Sequence, residues 1–454
     1  MPFSRLNLFQ RTARQWDGLH PYNAGQLMYI AAALDPGHAA ACWAETLRDL
    51  QMGGIEWAGA RYRHIAADAP ATLLDDHADL GAFIADQLNT PFDDVSQGPF
   101  RAMVRRDGQT TCLGVFYHHW VADSVSIRML MREWFYRCCA PQLASRQPIV
   151  MRDDTAGAFP WGASWRAVRS LLDLSVRGKQ VRRLSGKAQA NMEVAYRLLQ
   201  LPDGAAGRLH QAARARGVKV TDLMLCSLAQ TCHRHMPAAQ KHRPGLAVGS
   251  IRDARTMDTR DTRDTGDNRG AFGMALGSGT IICPASILDH RDKLLKHIAA
   301  ENQQHRQPSS IAAHQLKLRF ALTAGRLLNR ESLMDFYRKR MPLSGGLSNV
   351  NLTDTWVAKH HPSPITQFVR ISPTGPMLPL VMTPTTLCEK FNIAITWRTA
   401  VFAPEAIDAL LRSLVESLES WTVVSLTGGP AQADNAARNN DLPNTREPIG
   451  TIGV

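Results

Sequence analysis

The pattern of apolar and polar positions is clearest between residues 111 and 139. In residues 111–117, alternate positions would lie on opposite faces of a strand, and both faces are largely apolar. One face has Leu113, Val115 and Tyr117, and the other has Cys112, Gly114 and Phe116. An alternation with no polar face predicts a strand that is buried on both sides. Beyond Asp123, apolar residues recur at helical spacing, at Ile127, Leu130, Met131, Trp134, Phe135 and Cys138. This predicts an amphipathic helix, which Asp123 or Ser124 can cap.

Similar patterns along the rest of the chain predict an α/β protein with two halves of similar size. Expected strands cover residues 22–34, 57–65, 98–104, 110–117, 194–201, 246–251, 271–284, 345–352, 365–371 and 391–397. Expected helices cover residues 36–52, 80–88, 203–215, 221–235, 287–304, 311–328 and 404–421, and we expect Thr221 to cap the fourth of them. Asp107 and Gly108 form a strong hairpin signal between the strands at 98–104 and 110–117.

Composition shifts suggest where the parts of the chain begin and end. We expect a first subdomain at 1–145, a basic linker region at 146–190, a second subdomain at 191–427 and a disordered tail at 428–454. Residues 252–270 are rich in Arg, Asp and Thr without apolar periodicity, which predicts a mobile loop.

The overall composition is that of a soluble globular protein. Hydrophobic residues make up 44% and charged residues 20% of the 454 residues. No apolar run approaches the ~18 residues of a membrane span, and the first twenty residues do not resemble a secretory signal. The eight cysteines form no CxxC pair, which argues against a disulfide framework and a zinc site. A cytoplasmic location is the simplest expectation.

The formal charge of +12 is concentrated in one region. Residues 161–220 hold twelve Lys and Arg against three Asp and Glu. Such a patch attracts phosphates, acidic proteins or anionic membranes. Residues 165–187 have the pattern of a basic amphipathic helix, which is either an interdomain helix with a solvated face or a site of peripheral membrane contact. No basic-aromatic module is present, so nucleic acid is not an expected partner.

The candidate chemistry lies at the end of the first strand described above. His118 and His119 are adjacent, and neighbouring residues of a strand point to opposite faces, so only one of them faces a given cleft. Because no serine or cysteine forms a recognisable triad, we expect a neutral imidazole to act directly on a hydroxyl or amine. The position of Asp123 favours a cap or a salt bridge. Because the two histidines point to opposite faces, the pattern argues against a metal site formed by His118, His119 and Asp123.

The segment HHWVADS resembles the HHxxxDG motif of the chloramphenicol acetyltransferase-like superfamily. That superfamily includes condensation domains of non-ribosomal peptide synthetases, plant BAHD acyltransferases and bacterial wax ester synthases. Further resemblances, in the family's order, span the chain to about residue 421: LHPYNAGQLMYI, VGSIRDAR followed by DNRGAFGMALG, LSNVNLT and FNIAITW. Ser124 replaces the motif's glycine, and the DFGWG segment of the plant enzymes is missing.

The resemblance implies a fold and a set of roles. The fold class would be α/β (α+β), with two subdomains in a V-shaped pseudo-dimer around a central tunnel. His119 would be the general base or positioning acceptor, and His118 would be structural. Asp123 would pair with an arginine, for which Arg252 is the first choice. The remaining cleft-lining residues would be Ser124, Ser348 and Asn349, and no metal is implied.

The implied activity is transfer of an acyl group from a thioester to a small-molecule hydroxyl or amine, in secondary-metabolite or lipid biosynthesis. The donor would be carrier-protein phosphopantetheine or coenzyme A, with no permanently bound cofactor. Since no adenylation-like or carrier-like region is visible, we expect a free-standing enzyme. Two alternatives stay open: a coenzyme A-dependent O-acyltransferase of the wax-ester type, and a degenerate module that only binds a carrier protein.

Overall fold

The computed structural model describes residues 1–93, 98–152, 164–183, 192–236, 243–253, 271–305, 308–359 and 364–422. Most of the expected mobile loop at 252–270 and all of the expected tail at 428–454 lie outside these ranges. Both expectations therefore stay predictions.

The strands alternate with helices along the chain. The strands are β1 (Ser4–Arg5), β2 (Asn23–Ile30), β3 (Gly54–Ala58), β4 (Arg61–Ile65), β5 (Ala71–Leu74), β6 (Phe100–Asp107), β7 (Thr110–His118), β8 (Val194–Leu201), β9 (Leu246–Asp253), β10 (Leu276–Cys283), β11 (Gly345–Leu347), β12 (Val350–Asn351), β13 (Ile365–Ile371), β14 (Leu380–Leu387) and β15 (Lys390–Arg398).

The helices cover the faces of the sheets. They are α1 (Leu8–Asp17), α2 (Pro36–Asp49), α3 (Leu80–Asn89), α4 (Ser124–Cys139), α5 (Ser164–Arg177), α6 (Ala205–Ala215), α7 (Val220–His235), α8 (Ala285–Leu288), α9 (Arg291–Gln304), α10 (Pro308–Leu327), α11 (Arg330–Arg340), α12 (Trp356–Lys359) and α13 (Pro404–Glu419).

The first large sheet has the order β13-β2-β7-β6-β5, and its central strands are buried on both faces. Along β7, Leu113, Val115 and Tyr117 enter one apolar core, whereas Cys112 and Phe116 enter another. The strand therefore has no solvent face, as the unbroken apolar alternation predicted. Its hairpin with β6 turns at Asp107 and Gly108, as expected.

The second large sheet has the order β10-β9-β11-β14-β15-β8, with β12 also paired to β14. Helices α7 and α13 pack together against it around an apolar core that includes Leu228, Ile395 and Leu414. A third, small sheet has the order β1-β4-β3.

Segments from late in the chain complete the first half. Strand β13 pairs antiparallel with β2, so that Phe368 lies opposite Met28. Phe272 and Met274 also enter the core beneath β7. Segments of the second half therefore complete the sheet and the core of the first half. The site described below forms where the two halves meet.

Several expectations about elements need correction. Residues 57–65 form part of a hairpin, because Gly59, with φ of 60°, turns the chain between β3 and β4. Helix α7 begins after Lys219 rather than at Thr221, and the Asp222 carboxylate accepts from the Lys219 N–H at 2.9 Å. The sequence reading also missed several elements, which include α1, α11 and β14.

His64 supplies a prediction about acid stability. It is fully buried among aromatic rings, and neither ring nitrogen has a hydrogen-bond partner among the described groups. Burial lowers the pKa of His64 to about 3. Below pH ~6.5 the unfolded chain binds a proton that the folded chain does not, so His64 lowers stability as pH falls towards 3.

His64→Phe should remove this acid sensitivity. The free energy of unfolding of His64→Phe, relative to the wild type, should be about 2 kcal/mol larger at pH 5 than at pH 8. Any change in packing affects both measurements equally and cancels in this difference. Urea denaturation at the two pH values measures it. The exposed His77, changed to Phe, serves as the control. An equal gain for His64→Phe at both pH values would contradict the prediction.

Candidate functional site

The HHWVADS segment forms the turn between β7 and α4. Strand β7 ends at His118, and α4 begins at Ser124 with Asp123 as its N-cap. One Asp123 carboxylate oxygen accepts from the N–H of Ser126 at 3.1 Å, and the other accepts from the N–H of Ala275 at 2.7 Å. The same carboxylate therefore caps the helix and fixes a segment from much later in the chain.

A second pair of contacts strengthens this junction. The Ser126 hydroxyl donates to the carbonyl oxygen of Gly273 at 2.8 Å, and its oxygen lies 2.9 Å from the Gly273 nitrogen, which donates to it. The N–H of Asp123 also donates to the Gly273 carbonyl, at 3.3 Å. The turn that follows the histidines is thus held from both halves of the chain.

A large cavity opens beside this turn. Its empty volume is about 1170 Å³, including the space at its mouth. Residues of the first half, such as Tyr22 and His119, share its lining with Leu276 and Met377 from later in the chain. Both halves are therefore needed to form the cavity.

His119 lines this cavity. Its Nδ1 lies 3.1 Å from the carbonyl oxygen of Ala122, which can only accept, so the neutral ring carries its proton on Nδ1 and keeps a lone pair on Nε2. The ring stacks on Tyr22 with centroids 5.4 Å apart. Burial lowers the pKa of His119 to about 4, although the Ala122 carbonyl and the Asp123 carboxylate oppose this shift. His119 is therefore neutral at pH 7.

His118 points away from the cavity and lies outside its described lining. Its ring stacks on Phe92 with centroids 5.8 Å apart. Trp120 donates from Nε1 to His118 Nδ1 at 2.9 Å, and His118 Nε2 lies 3.0 Å from the carboxylate of Asp17. These contacts hold the His118 ring, and they differ from those of His119. The structural role of His118 stays a prediction.

Ser124 connects the start of α4 to a buried cation. Its hydroxyl oxygen accepts from Arg370 Nε at 2.6 Å, from Arg128 Nη1 at 3.0 Å and from Gln26 Nε2 at 3.1 Å. Arg370 also donates to the carbonyl and hydroxyl oxygens of Ser348, at 3.1 and 3.0 Å. Burial lowers the pKa of Arg370 to about 9, which leaves it charged at pH 7.

The replacement of glycine by Ser124 does not strain the backbone. Among the described residues, the non-glycine positions with positive φ are Gln51 and Cys388. Ser124 is therefore not in the left-handed conformation that favours glycine. Both Ser124 and Ser348 line the cavity.

Arg252 and Asn349, the other two predicted site residues, lie outside the described lining of the cavity. Arg252 Nη2 donates to the carbonyl oxygen of Asn302 at 2.8 Å and also contacts its side-chain oxygen. The expected pairing of Arg252 with Asp123 stays a prediction, and Arg370 is the cavity-lining arginine whose pKa the Asp123 carboxylate influences. Asn349 lies outside the described cavity lining, where its Nδ2 donates to Thr221 Oγ1 at 3.4 Å.

The basic segment contains helix α5, which packs against α10. Trp165, Leu172 and Val176 are highly exposed on it. Arg177 at its end pairs with Glu301 at 2.7 Å. In the ranges covered by the structure, no helix is long and apolar enough to cross a bilayer, and no group of three His, Cys, Asp or Glu side chains could hold a metal.

The sequence reading missed part of the cavity wall. Phe9 and Trp16 come from α1, which could have been found from its capping box, since Asn7 and Gln10 each accept from the other's backbone N–H at 2.9 Å. Lys317 on α10 also lines the cavity. Arg370 was missed as well, although a single charge within the apolar strand ITQFVRI was a usable signal.

Comparisons with known proteins find the likeness in structure rather than in sequence. No protein-family profile matches the chain, and no curated protein is significantly similar to it. The condensation domain of the monacolin K polyketide synthase matches with a TM-score of 0.63 and 12% identity, over 93% of this chain and 98% of that one.

Two further structures agree. The first condensation domain of the CDA synthetase matches with a TM-score of 0.63 and 14% identity, over 93% of this chain and 95% of that one. A starter condensation domain of rhizomide synthetase, solved as a variant with C8-CoA and Leu-SNAC, matches with a TM-score of 0.63 and 13% identity, over 92% and 94%.

These matches define the fold. The chain has the two-subdomain fold of condensation domains from peptide and polyketide synthetases, which belong to the chloramphenicol acetyltransferase-like superfamily. The predicted mixed α/β class is confirmed, and the predicted resemblance to the superfamily is confirmed as a likeness of fold. The central tunnel stays a prediction.

Ser124→Ala tests the contact between α4 and Arg370. Removing the oxygen leaves the buried Nε of Arg370 without its described acceptor, whereas Arg128 Nη1 and Gln26 Nε2 still donate to the Ser124 carbonyl. The free energy of unfolding should therefore fall by about 1–3 kcal/mol. Urea denaturation measures the change. Ser332→Ala, on the exposed face of α11, is the matched control. A loss no larger than that of the control would mean that the hydroxyl contributes little to the junction.

Proposed function

We propose that this protein transfers an acyl group from a thioester to a hydroxyl or amine acceptor, with His119 at the reacting centre. The observation that carries this proposal is the position of His119 in the lining of a cavity formed by both halves, with Nδ1 held by the Ala122 carbonyl and the lone pair left on Nε2. The condensation-domain fold supports the same class of reaction.

The proposed step uses His119 as a proton acceptor and then as a donor. The acceptor's O–H or N–H donates to Nε2, and its oxygen or nitrogen attacks the thioester carbonyl carbon. The proton moves to Nε2 as the new C–O or C–N bond forms. The tetrahedral intermediate then breaks its C–S bond, and the leaving thiolate takes the proton from Nε2. His119 returns to its neutral form.

The low pKa of His119 shapes this step. An imidazole with a pKa of about 4 is a weak base, so it does not deprotonate a free hydroxyl in advance of attack. It orients the acceptor and takes the proton only as the nucleophile's acidity rises during bond formation. The nearby Asp123 carboxylate stabilises the imidazolium that forms.

The negative charge that develops on the thioester oxygen needs hydrogen-bond donors or a positive field. The N–H of Asp123 is already directed to Gly273. We therefore assign this role to the N-terminus of α4 at Ser124, which lines the cavity and carries the positive end of the helix dipole.

The donor is an acyl thioester on coenzyme A or on a carrier protein. The rhizomide starter domain solved with C8-CoA supports a thioester of this kind. The excess of basic residues at 161–220 fits either donor, because coenzyme A phosphates and acidic carrier proteins both favour a positive surface. The exposed apolar residues of α5 extend that surface, and peripheral membrane contact remains its alternative role.

The function is tested by intact-mass detection of acyl loss from an octanoyl carrier protein, in parallel with octanoyl-CoA, each with a panel of alcohols and amines. Product from the carrier protein alone supports a condensation-like enzyme, and product from octanoyl-CoA alone supports an O-acyltransferase of the wax-ester type. Binding of acyl carrier protein without product in any arm would identify a binding module and would overturn the proposal.

His119→Ala should lower the rate of product formation by about 100-fold or more, because the acceptor loses the group that orients it and takes its proton. Initial rates with the productive donor measure the loss. The exposed His38, changed to Ala, is the matched control and should retain the wild-type rate. An unchanged rate in His119→Ala would show that the imidazole is not at the reacting centre.

The rate should also have an unusually acidic pH limit. Since the neutral form of His119 is active and its pKa is about 4, kcat/KM for an alcohol acceptor should stay level from pH 7 to about 5 and fall only below that. A profile recorded with circular dichroism at each pH separates this fall from unfolding. A fall centred near pH 6.5 would mean that the free enzyme's essential base is an ordinary exposed histidine.

A further inference from the structure

The cavity holds a second group of polar side chains that the proposed transfer step does not use. Ser278 and Thr280 lie two residues apart on β10, and His314 and Lys317 lie three apart on α10, so each pair shares one face of its element. The Ser278 oxygen is 3.0 Å from His314 Nδ1, and Lys317 Nζ donates to Thr280 Oγ1 at 3.3 Å. All four residues line the cavity.

Lys317 is the cation of this cluster. In the part of the chain that the structure describes, it forms no ion pair with a carboxylate, and its hydrogen-bond partner is the neutral Thr280. Burial lowers the pKa of Lys317 to about 8, which still leaves most of it protonated at pH 7. A poorly solvated ammonium on a cavity wall favours an anion that enters the cavity.

The hydroxyls beside Lys317 are suited to the same ligand. His314 Nδ1 can donate to the oxygen of Ser278, which frees the hydroxyl hydrogen of Ser278 for a group in the cavity. Burial lowers the pKa of His314 to about 3, so its ring adds no charge at pH 7. The cluster therefore offers one positive charge together with neutral hydroxyl groups.

A row of aromatic rings connects this cluster to His119. The His119 ring contacts Tyr22 at 5.4 Å, Tyr22 contacts Trp16 at 5.2 Å, Trp16 contacts Phe9 at 6.2 Å, and Phe9 contacts His314 at 6.4 Å between centroids. Each ring lines the cavity. A ligand that reaches both ends must therefore have an apolar body.

We propose that Lys317, Ser278 and Thr280 form a carboxylate-binding subsite for the acceptor. The acceptor would be a hydroxy or amino acid with an apolar body, whose carboxylate binds Lys317 while its nucleophile reaches His119. This inference rests on the function proposed above. One ammonium with two hydroxyls matches the single charge of a carboxylate better than the several charges of coenzyme A phosphates.

Calorimetric binding at pH 7, without any donor, tests the subsite with decanoate and its neutral analogue decanamide. The wild-type protein should bind decanoate about tenfold or more tightly than decanamide. Lys317→Met should weaken decanoate binding about 10-fold to 100-fold and leave decanamide unchanged, whereas Lys317→Arg should keep the preference. Lys339→Met, which removes an exposed lysine on α11, is the matched control and should change neither.

Three results would overturn the proposal. The first is absent or equal binding of the two probes by the wild-type protein, which needs no variant. The second is an unchanged preference for decanoate in Lys317→Met. The third is a Lys317→Met protein that loses affinity for free coenzyme A but not for decanoate, which would assign the cation to the donor.

The binding test separates this inference from the proposed function. His119→Ala should keep the wild-type preference for decanoate over decanamide, since that preference is set at Lys317, at the other end of the row of rings. A wild-type protein that prefers decanoate but forms no product with any thioester would support the carboxylate subsite. The same result would refute the proposed acyl transfer.

Discussion

The arrangement of the site depends on the carboxylate of Asp123. One of its oxygens accepts from Ser126 and so starts helix α4, while the other accepts from Ala275, which is 152 residues further along the chain. A buried carboxylate is stable only when its oxygens are satisfied, so the helix start and the distant segment must both be in place. The Ala122 carbonyl that fixes the His119 tautomer belongs to the same turn. The orientation of His119 is thus a consequence of how the two halves join.

Arg370 joins the halves on the other side of the turn. Its guanidinium donates to Ser124 from the first half and to Ser348 from the second, and these partners are neutral. Ser124, which replaces the motif's glycine, therefore supplies a hydroxyl acceptor for Arg370 that glycine would not offer. Since neutral partners do not cancel the charge, Arg370 adds to the low pKa of His119. His119 and the buried Arg370 are therefore coupled electrostatically as well as through the fold.

Local patterns predicted the elements around the site but not their partners. The two apolar faces of β7 identified a buried strand, and the spacing after Asp123 identified α4. Strand β14 was missed because Pro384 argues against a central strand. Pro384 is tolerated because it lies between the part of β14 that pairs with β11 and the part that pairs with β12, so no ladder partner lies opposite it on that edge. That β13 joins the first sheet could not be predicted, because an apolar strand pattern does not say which strand it pairs with.

The two cations of the cavity show why the site itself was only partly predictable. Each is a single charged residue in an otherwise ordinary element, and the sequence pattern treats Arg370 and Lys317 alike. The structure separates them, because Arg370 donates to three described acceptor groups and Lys317 to the Thr280 hydroxyl alone. A cation whose donors are occupied holds the protein together, whereas one with unused donors on a cavity wall is available to a ligand. The number of partners, which only the fold determines, therefore decides which charge is structural and which can select a substrate.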